Sequence, residues 1–478
     1  MSSLVKSVQI ENIELFFNPQ NIEVNTEGNE QYLDIKLYSG TNNVSTSKKT
    51  IALVIDKSGS MDGEKLDQVK RSSNFVISNL NKGDKLLVIT YDSNVNVLIP
   101  MSEIKTNDKF EKMQYFNQIN KISPGTCTNL SGGLYKALEL MSDYNDSSIK
   151  SIFLLTDGVI NEGDTDFSVI NDNIKFLNDP SKNNNISIHS FGLGSDHEPD
   201  TLEQISDSFF FIENPDKSAE AFADRLGSII GTVAQDIYIN LLFDDKIKCD
   251  FCSKDDYLYT KLSDNEINVK LKSLEIGSKK NLIFKTNFLP VNEEGIYKYV
   301  KISVKYKNMI ITNPTFVSTV NEYMITRKKS PEVIPNIKLD EQINRLKLVE
   351  YFKTVQNYFK NNQIDDGISI LNALKEELQN SISKETEFTL QLIKIINDHI
   401  KSIKEKNRQE NEALFVQSIS SQTRQRSAGN NNMYVTPIQQ NMIEASQAMD
   451  LDDFGDNYNG NNSNSSDFIN LTQKQYPQ

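Results

Sequence analysis

Residues 51–63 read IALVIDKSGSMDG. A short, wholly apolar run, IALVI, passes without a spacer into Asp56, and Ser58 and Ser60 follow at intervals of two. A run of this kind fits a strand buried on both faces. The turn after it gathers one carboxylate and two hydroxyls near a single point. Open α/β sheets bind ligands at such strand ends, so the stretch points to a site for a hard cation or a phosphate.

The text around it supports the strand. KLDQVKRSSNFVISNL places Leu66, Val69, Val76 and Leu80 on one helical face. KLLVITY, SIFLLT, ISIHSFGL and FFFIE read as further strands, and NVNVLIP as an edge strand. Helical stretches lie between them, over about 108–119, 129–141, 167–179 and 199–205, with a final one over 217–234. Strands alternating with helices predict an α/β domain, a doubly wound Rossmann-like fold with a largely parallel sheet, over 49–234.

To either side the rhythm changes. Val8–Tyr38 and Asp236–Thr326 alternate with period two, as in VKISVKY and INVKLKSL. The N-terminal piece, 1–48, is too short to fold alone, so its strands are expected to pair with those of 235–328. The α/β domain then sits as an insertion in an antiparallel β-sandwich. Leu346, Val349, Phe352, Val355 and Phe359, then Ile368, Leu371, Leu374 and Leu378, then Phe388, Leu392, Ile395 and Ile396 form three stripes at helical spacing. They predict a three-helix unit over 336–406. From 407 to 478 the chain is rich in Asn, Ser and Gln and reads as a disordered tail. Within it, IEASQAMDLDDFGD is acidic with scattered apolar residues.

Bulk properties bound the function. In 478 residues, 65 acidic against 51 basic side chains give a net charge of −14. No Lys/Arg block could follow a phosphate backbone, so nucleic acid is excluded as a partner class. The N-terminus lacks a signal-peptide pattern and no apolar run approaches membrane-spanning length, which predicts a cytoplasmic protein without a membrane partner. Three cysteines, Cys127, Cys249 and Cys252, are too few and too scattered for a disulfide framework and fit a reducing compartment. CDFC, 249–252, is half a zinc site at most and reads as sandwich strand. His189 alternates with apolar neighbours as a packed strand residue, His197 reads as a loop-orienting residue, and His399 carries no signal.

Two more segments supply oxygens at the same predicted sheet edge. PGTCTNLSGGL opens a helix and offers Thr128, with Thr126 as an alternative, and FLLTDG ends the central strand at Asp157. Three hydroxyls and two carboxylates form a hard, incompletely neutralising shell. Mg²⁺ or Mn²⁺ suits such a shell and keeps coordination positions open, which an external carboxylate can fill. Two rival chemistries fail on residue type. An aspartyl-phosphate mechanism at Asp56 needs an acid two residues on, where Ser58 stands. GSMDGEKL lacks the glycine-lysine spacing of a phosphate loop.

VIDKSGSM, TNLSGGL and LLTDG resemble the three segments of the metal-ion-dependent adhesion site of von Willebrand factor A domains. The resemblance implies Asp56, Ser58, Ser60, Thr128 and Asp157 as metal shell. It also implies a non-enzymatic adaptor that binds a protein partner offering Asp or Glu to the metal. FGLGSDHEPDTLEQIS and FFFIENPDKSAEAFADRLGSIIGTVAQDI are similar to the intracellular branch that includes RING-type and Hint-containing proteins. With three cysteines and three histidines, this chain cannot build a RING cross-brace, so ubiquitin-ligase activity is not implied. Two other readings remain open here: a metal that only stabilises the domain, and a non-catalytic subunit of a ubiquitin-related complex.

Overall fold

A computed structural model describes residues 6–41, 47–144, 146–158, 160–179, 185–194, 199–214, 217–254, 257–311, 313–427 and 432–448. The chain begins with strands β1 (Lys6–Ile10), β2 (Ile13–Pro19), β3 (Glu23–Asn25) and β4 (Glu30–Ser39). An alternating stretch follows: β5 (Lys49–Asp56), α1 (Glu64–Ser78), β6 (Lys85–Tyr91), β7 (Val95–Glu103), α2 (Lys109–Asn120), α3 (Leu130–Ser142), β8 (Ile149–Thr156), α4 (Phe167–Leu177), β9 (Ile186–Leu193), α5 (Pro199–Gln204), β10 (Ser208–Ile212) and α6 (Ser218–Ile230). Strands return as β11 (Thr232–Phe243), β12 (Ile247–Phe251), β13 (Leu258–Ser263), β14 (Glu266–Glu275), β15 (Lys279–Phe288), β16 (Gly295–Asn308) and β17 (Thr315–Lys328). Helices α7 (Ile337–Lys360), α8 (Ile364–Gln379), α9 (Glu387–Glu405), α10 (Arg408–Arg424) and α11 (Pro437–Gln447) complete the order.

These elements form two compact units. One is built on the described parts of Met1–Asn43 and Thr232–Arg426, the other on those of Val44–Gly231 and Ser427–Gln478.

The second unit holds the sheet β10-β9-β8-β5-β6-β7, parallel except for the edge strand β7. Every residue of β5 and of β8 is buried, so both faces of the sheet centre are covered, as the continuous apolar runs require. Apolar side chains on β8, β9, β10 and α6 meet in one aromatic cluster, where Phe191 stacks on Phe210 and contacts Phe153 and Phe222. The last helix stops sooner than its pattern suggested. Gly231 caps α6 and the β-branched pair Thr232-Val233 opens β11, so 232–234 is strand.

In the first unit the described strands make two sheets, β1-β2-β4-β15-β12 and β13-β14-β11-β16-β17-β3. β2 and β4 pair antiparallel, β4 pairs with β15, and β3 joins β17 in parallel, so the N-terminal strands are part of both sheets. Leu15, Phe17, Leu33 and Ile35 from one sheet share a core with Ile239, Leu241, Val300 and Ile302 from the other. Phe17 stacks on Tyr323 with ring centroids 4.2 Å apart.

The helical part corrects the expected tail. Where disorder was expected from 407 on, α10 and α11 are helices. Asn407 and Glu410 close a capping box at the start of α10, and Phe415 packs on Phe352 of α7 and His399 of α9. Thr436 and Gln439 form a second capping box, Pro437 opens α11, and Ile438 and Met442 are buried. Apolar periodicity missed α10 because several of its buried positions are polar: Gln417, Ser420, Ser421, Gln422 and Thr423. Residues 449–478, with most of the acidic stretch, lie outside the described residues, as does His197.

Candidate metal site

β5 ends on Asp56 and β8 ends one residue before Asp157, so neighbouring parallel strands deliver both carboxylates to the same sheet edge. Both are fully buried, as are Ser58 and Thr128, whereas Ser60 is exposed at the rim. The Ser58 amide donates to Asp56 Oδ1 at 2.8 Å, and Thr156 Oγ1 donates to Asp56 Oδ2 at 2.7 Å. Ser58 Oγ and Ser60 Oγ lie 3.2 Å apart, and Ser60 Oγ donates to Asp157 Oδ1 at 2.7 Å.

Thr128 reaches this cluster from the turn before α3. Its amide donates to Asn161 Oδ1 at 2.8 Å, and its carbonyl accepts from the Asn161 and Glu162 amides, both at 3.3 Å. Asn129 then caps α3 by accepting from the Gly132 amide. A β-carbon placed on Gly158 would lie 3.5 Å from Ser60 Oγ and 3.7 Å from Thr128 Oγ1, so the two hydroxyls flank one point next to Asp157. Thr126 is engaged elsewhere. Its hydroxyl pairs with Ser93 Oγ at 2.8 Å and its carbonyl accepts from the Gly59 amide at 2.9 Å.

All five sequence-predicted residues therefore converge, and the structure adds others. Burial pushes the Asp56 carboxyl up to about 6, with the charge of Asp157 acting in the same direction, while the bonds from Ser58 and Thr156 oppose it. A carboxylate held that high gains from a cation beside it. Lys65, in the first turn of α1, places Nζ 2.5 Å from Asp157 Oδ2. Lys57, between Asp56 and Ser58, forms an ion pair with Asp92 at 2.5 Å. Tyr91 underlies the site, its hydroxyl donating to the Leu155 carbonyl at 2.8 Å. Gly133 is needed there, because a β-carbon on it would meet the Tyr91 ring at 2.7 Å. Thr156 was legible inside LLTDG, but Lys65 had no motif to mark it.

The donor set is all oxygen, three hydroxyls and two carboxylates, and fits a hard divalent cation. Among the described residues no group of three or more His, Cys, Asp or Glu is placed to hold a metal. The CDFC cysteines do not compete. Cys249 is buried in β12 and burial raises its thiol to about 12, with Cys252 at about 11, so both stay protonated. His189 is packed in β9, its Nδ1 2.8 Å from Ser208 Oγ.

An oxygen-rich cluster at the C-terminal ends of adjacent strands marks this unit as an α/β domain with its candidate ligand site at the strand ends. Residues 50–225 match the family model of the von Willebrand factor type A domain, and this part of the chain is such a domain. Domains of this family often mediate metal-dependent protein–protein interactions. The chain is 28% identical over 176 residues to an uncharacterised protein of Synechocystis sp., covering 36% of this chain and 39% of that one. Human inter-alpha-trypsin inhibitor heavy chain H2 is 28% identical over 170 residues, 34% of this chain and 17% of the relative. The match thus spans well under half of either relative.

Solved structures resemble more of the chain. A von Willebrand factor type A protein from Catenulispora acidiphila superposes with a TM-score of 0.63 at 15% identity, over 84% of this chain and 92% of the other. The ArnB paralog VWA2 from Sulfolobus acidocaldarius gives 0.56 at 13%, over 87% and 98%. At these identities the likeness is one of fold. No helix among the described residues is long and apolar enough to cross a membrane.

Proposed function

We propose that this protein is an adaptor whose von Willebrand factor A domain binds a partner protein through a divalent cation. Asp56, Ser58, Ser60, Thr128 and Asp157 hold the ion, Mg²⁺ or Mn²⁺, and an Asp or Glu of the partner completes its shell. The observation that carries the reading is the convergence of three hydroxyls on two buried carboxylates at one sheet edge, with Ser60 at the open rim.

The bound cation supplies a Lewis-acidic contact for the incoming carboxylate. The chain's own residues do the rest. Thr156 and the Ser58 amide orient Asp56, Asn161 fixes the Thr128 turn, and burial keeps water from the carboxylates. The protein acts in the cytoplasm. The role proposed is one of binding and not of catalysis. Affinity capture from native extract tests this, with Mg²⁺ or with EDTA, beside Asp56→Ala/Ser58→Ala, circular dichroism confirming the fold. A partner held only by the metal-loaded wild type supports the reading. The same partners in every sample would make the metal a purely structural element.

A further inference from the structure

The sheet β13-β14-β11-β16-β17-β3 ends on an edge that β3 covers only in part. β3 pairs with Thr326, Arg327 and Lys328 alone, so 315–325 of β17 is paired on one side only among the described residues. The Thr326 amide donates outward to the Ile22 carbonyl at 3.1 Å. By the two-residue alternation of a strand, the N–H and C=O groups of Phe316, Ser318, Val320, Glu322 and Met324 also point off this edge. The devices that usually blunt such an edge are sparse over this span. It holds no proline, Glu322 is its one charge, and the register shift of this strand pair lies at Lys298/Val300 on β16, opposite Met324 and Tyr323, with 315–323 in continuous register. Its outward side chains alternate apolar and polar, Phe316, Val320 and Met324 being 53%, 57% and 45% exposed with Ser318 and Glu322 between them.

We infer that this edge joins two copies of the chain through antiparallel pairing of β17 with β17, about a two-fold axis at Val320. The open span 315–325 is centred on residue 320. In that register Val320 faces Val320 of the second copy, Phe316 faces Met324, and Ser318 faces Glu322. Each apolar side chain meets an apolar one, and each outward donor meets an acceptor, which is the self-complementarity an isologous interface requires. The pairing strand of the second copy runs out at Pro314, where β3 begins on the first, so β3 does not block it. A heterologous peptide would have no reason to share the symmetric spacing of 316, 320 and 324.

The test is the molar mass of the full chain by sedimentation across micromolar concentrations, for the wild type, Val320→Pro and Val320→Lys. The Val320 amide points away from β16, so proline removes no bond of the existing ladder, and lysine sets two like charges opposite each other. The expected result is a concentration-dependent wild-type dimer and at least tenfold weaker association in both variants, with unchanged circular dichroism. A wild type that stays monomeric overturns the inference, as does a dimer that neither substitution weakens.

Discussion

Lys65 Nζ lies 2.5 Å from Asp157 Oδ2, so an ammonium group stands at the carboxylate that closes the candidate metal site. The lysine is about a quarter exposed and can swing outward, while Asp157 is fully buried. A positive charge beside a divalent-cation site opposes the ion.

Replacing Lys65 with Met therefore strengthens Mn²⁺ binding, by about tenfold for the loss of one like charge a few ångströms away, partly screened. Isothermal titration of the two proteins at equal ionic strength measures it. Weaker binding in the variant would instead make Lys65 a residue that positions Asp157.

α11 packs on α6 so closely that a β-carbon on Gly227 would meet Gln439 Cα at 2.7 Å. Asp224, buried on α6, accepts from Ser427 Oγ and from Gln439 Nε2. Gly227→Val forces the helices apart and costs about 1–3 kcal/mol by overpacking. Gln439→Ala leaves a buried carboxylate short of a donor, at a cost of about 1–3 kcal/mol. Thermal unfolding of each variant checks both. Unchanged stability in both would mean that α11 adds nothing to this unit.

His399 lies between Phe352 and Phe415, its Nε2 2.8 Å from Ser418 Oγ and its Nδ1 without a partner. Burial depresses the imidazole from 6.5 to about 3, so the folded protein keeps it neutral where the unfolded chain takes up a proton. Stability from this residue is complete above pH 6.5 and is lost as pH falls, at up to ~1.4 kcal/mol per pH unit. Buried Asp34 acts in the opposite sense. Its carboxyl is raised to about 6 by burial, so it favours the folded state increasingly as pH falls from there towards 3.8. The difference between wild type and His399→Leu isolates the histidine. Denaturant unfolding at a series of pH values between 4.5 and 7 should show the variant gaining relative to the wild type as pH falls, and a constant difference would contradict this.

What the sequence made legible follows from how local each signal is. Asp56, Ser58 and Ser60 sit in one turn and Asp157 ends an apolar run, so the oxygens could be found from spacing alone. Lys65 could not, because its relation to Asp157 spans 92 positions and is made by the fold. The sandwich was readable from alternation in β14 and β16, whose outward residues are mostly charged or polar. α10 and α11 escaped because their buried faces carry Gln, Ser and Thr, held by capping boxes and side-chain bonds that apolar periodicity does not register. His399 had no pattern to announce it, since a buried histidine at a helical position differs from an exposed one only through its neighbours.

In the proposed function five oxygen-bearing side chains, at the β5 and β8 ends and in the turn before α3, hold a divalent cation. Mn²⁺ titration followed by electron paramagnetic resonance, on the wild type beside Asp56→Ala and Thr128→Ala with circular dichroism on each, addresses it directly. The expected result is one bound Mn²⁺ in the wild type, none detectable without Asp56, and weaker binding without Thr128, all three folded. Equal Mn²⁺ binding in the wild type and the folded Asp56→Ala protein would contradict it.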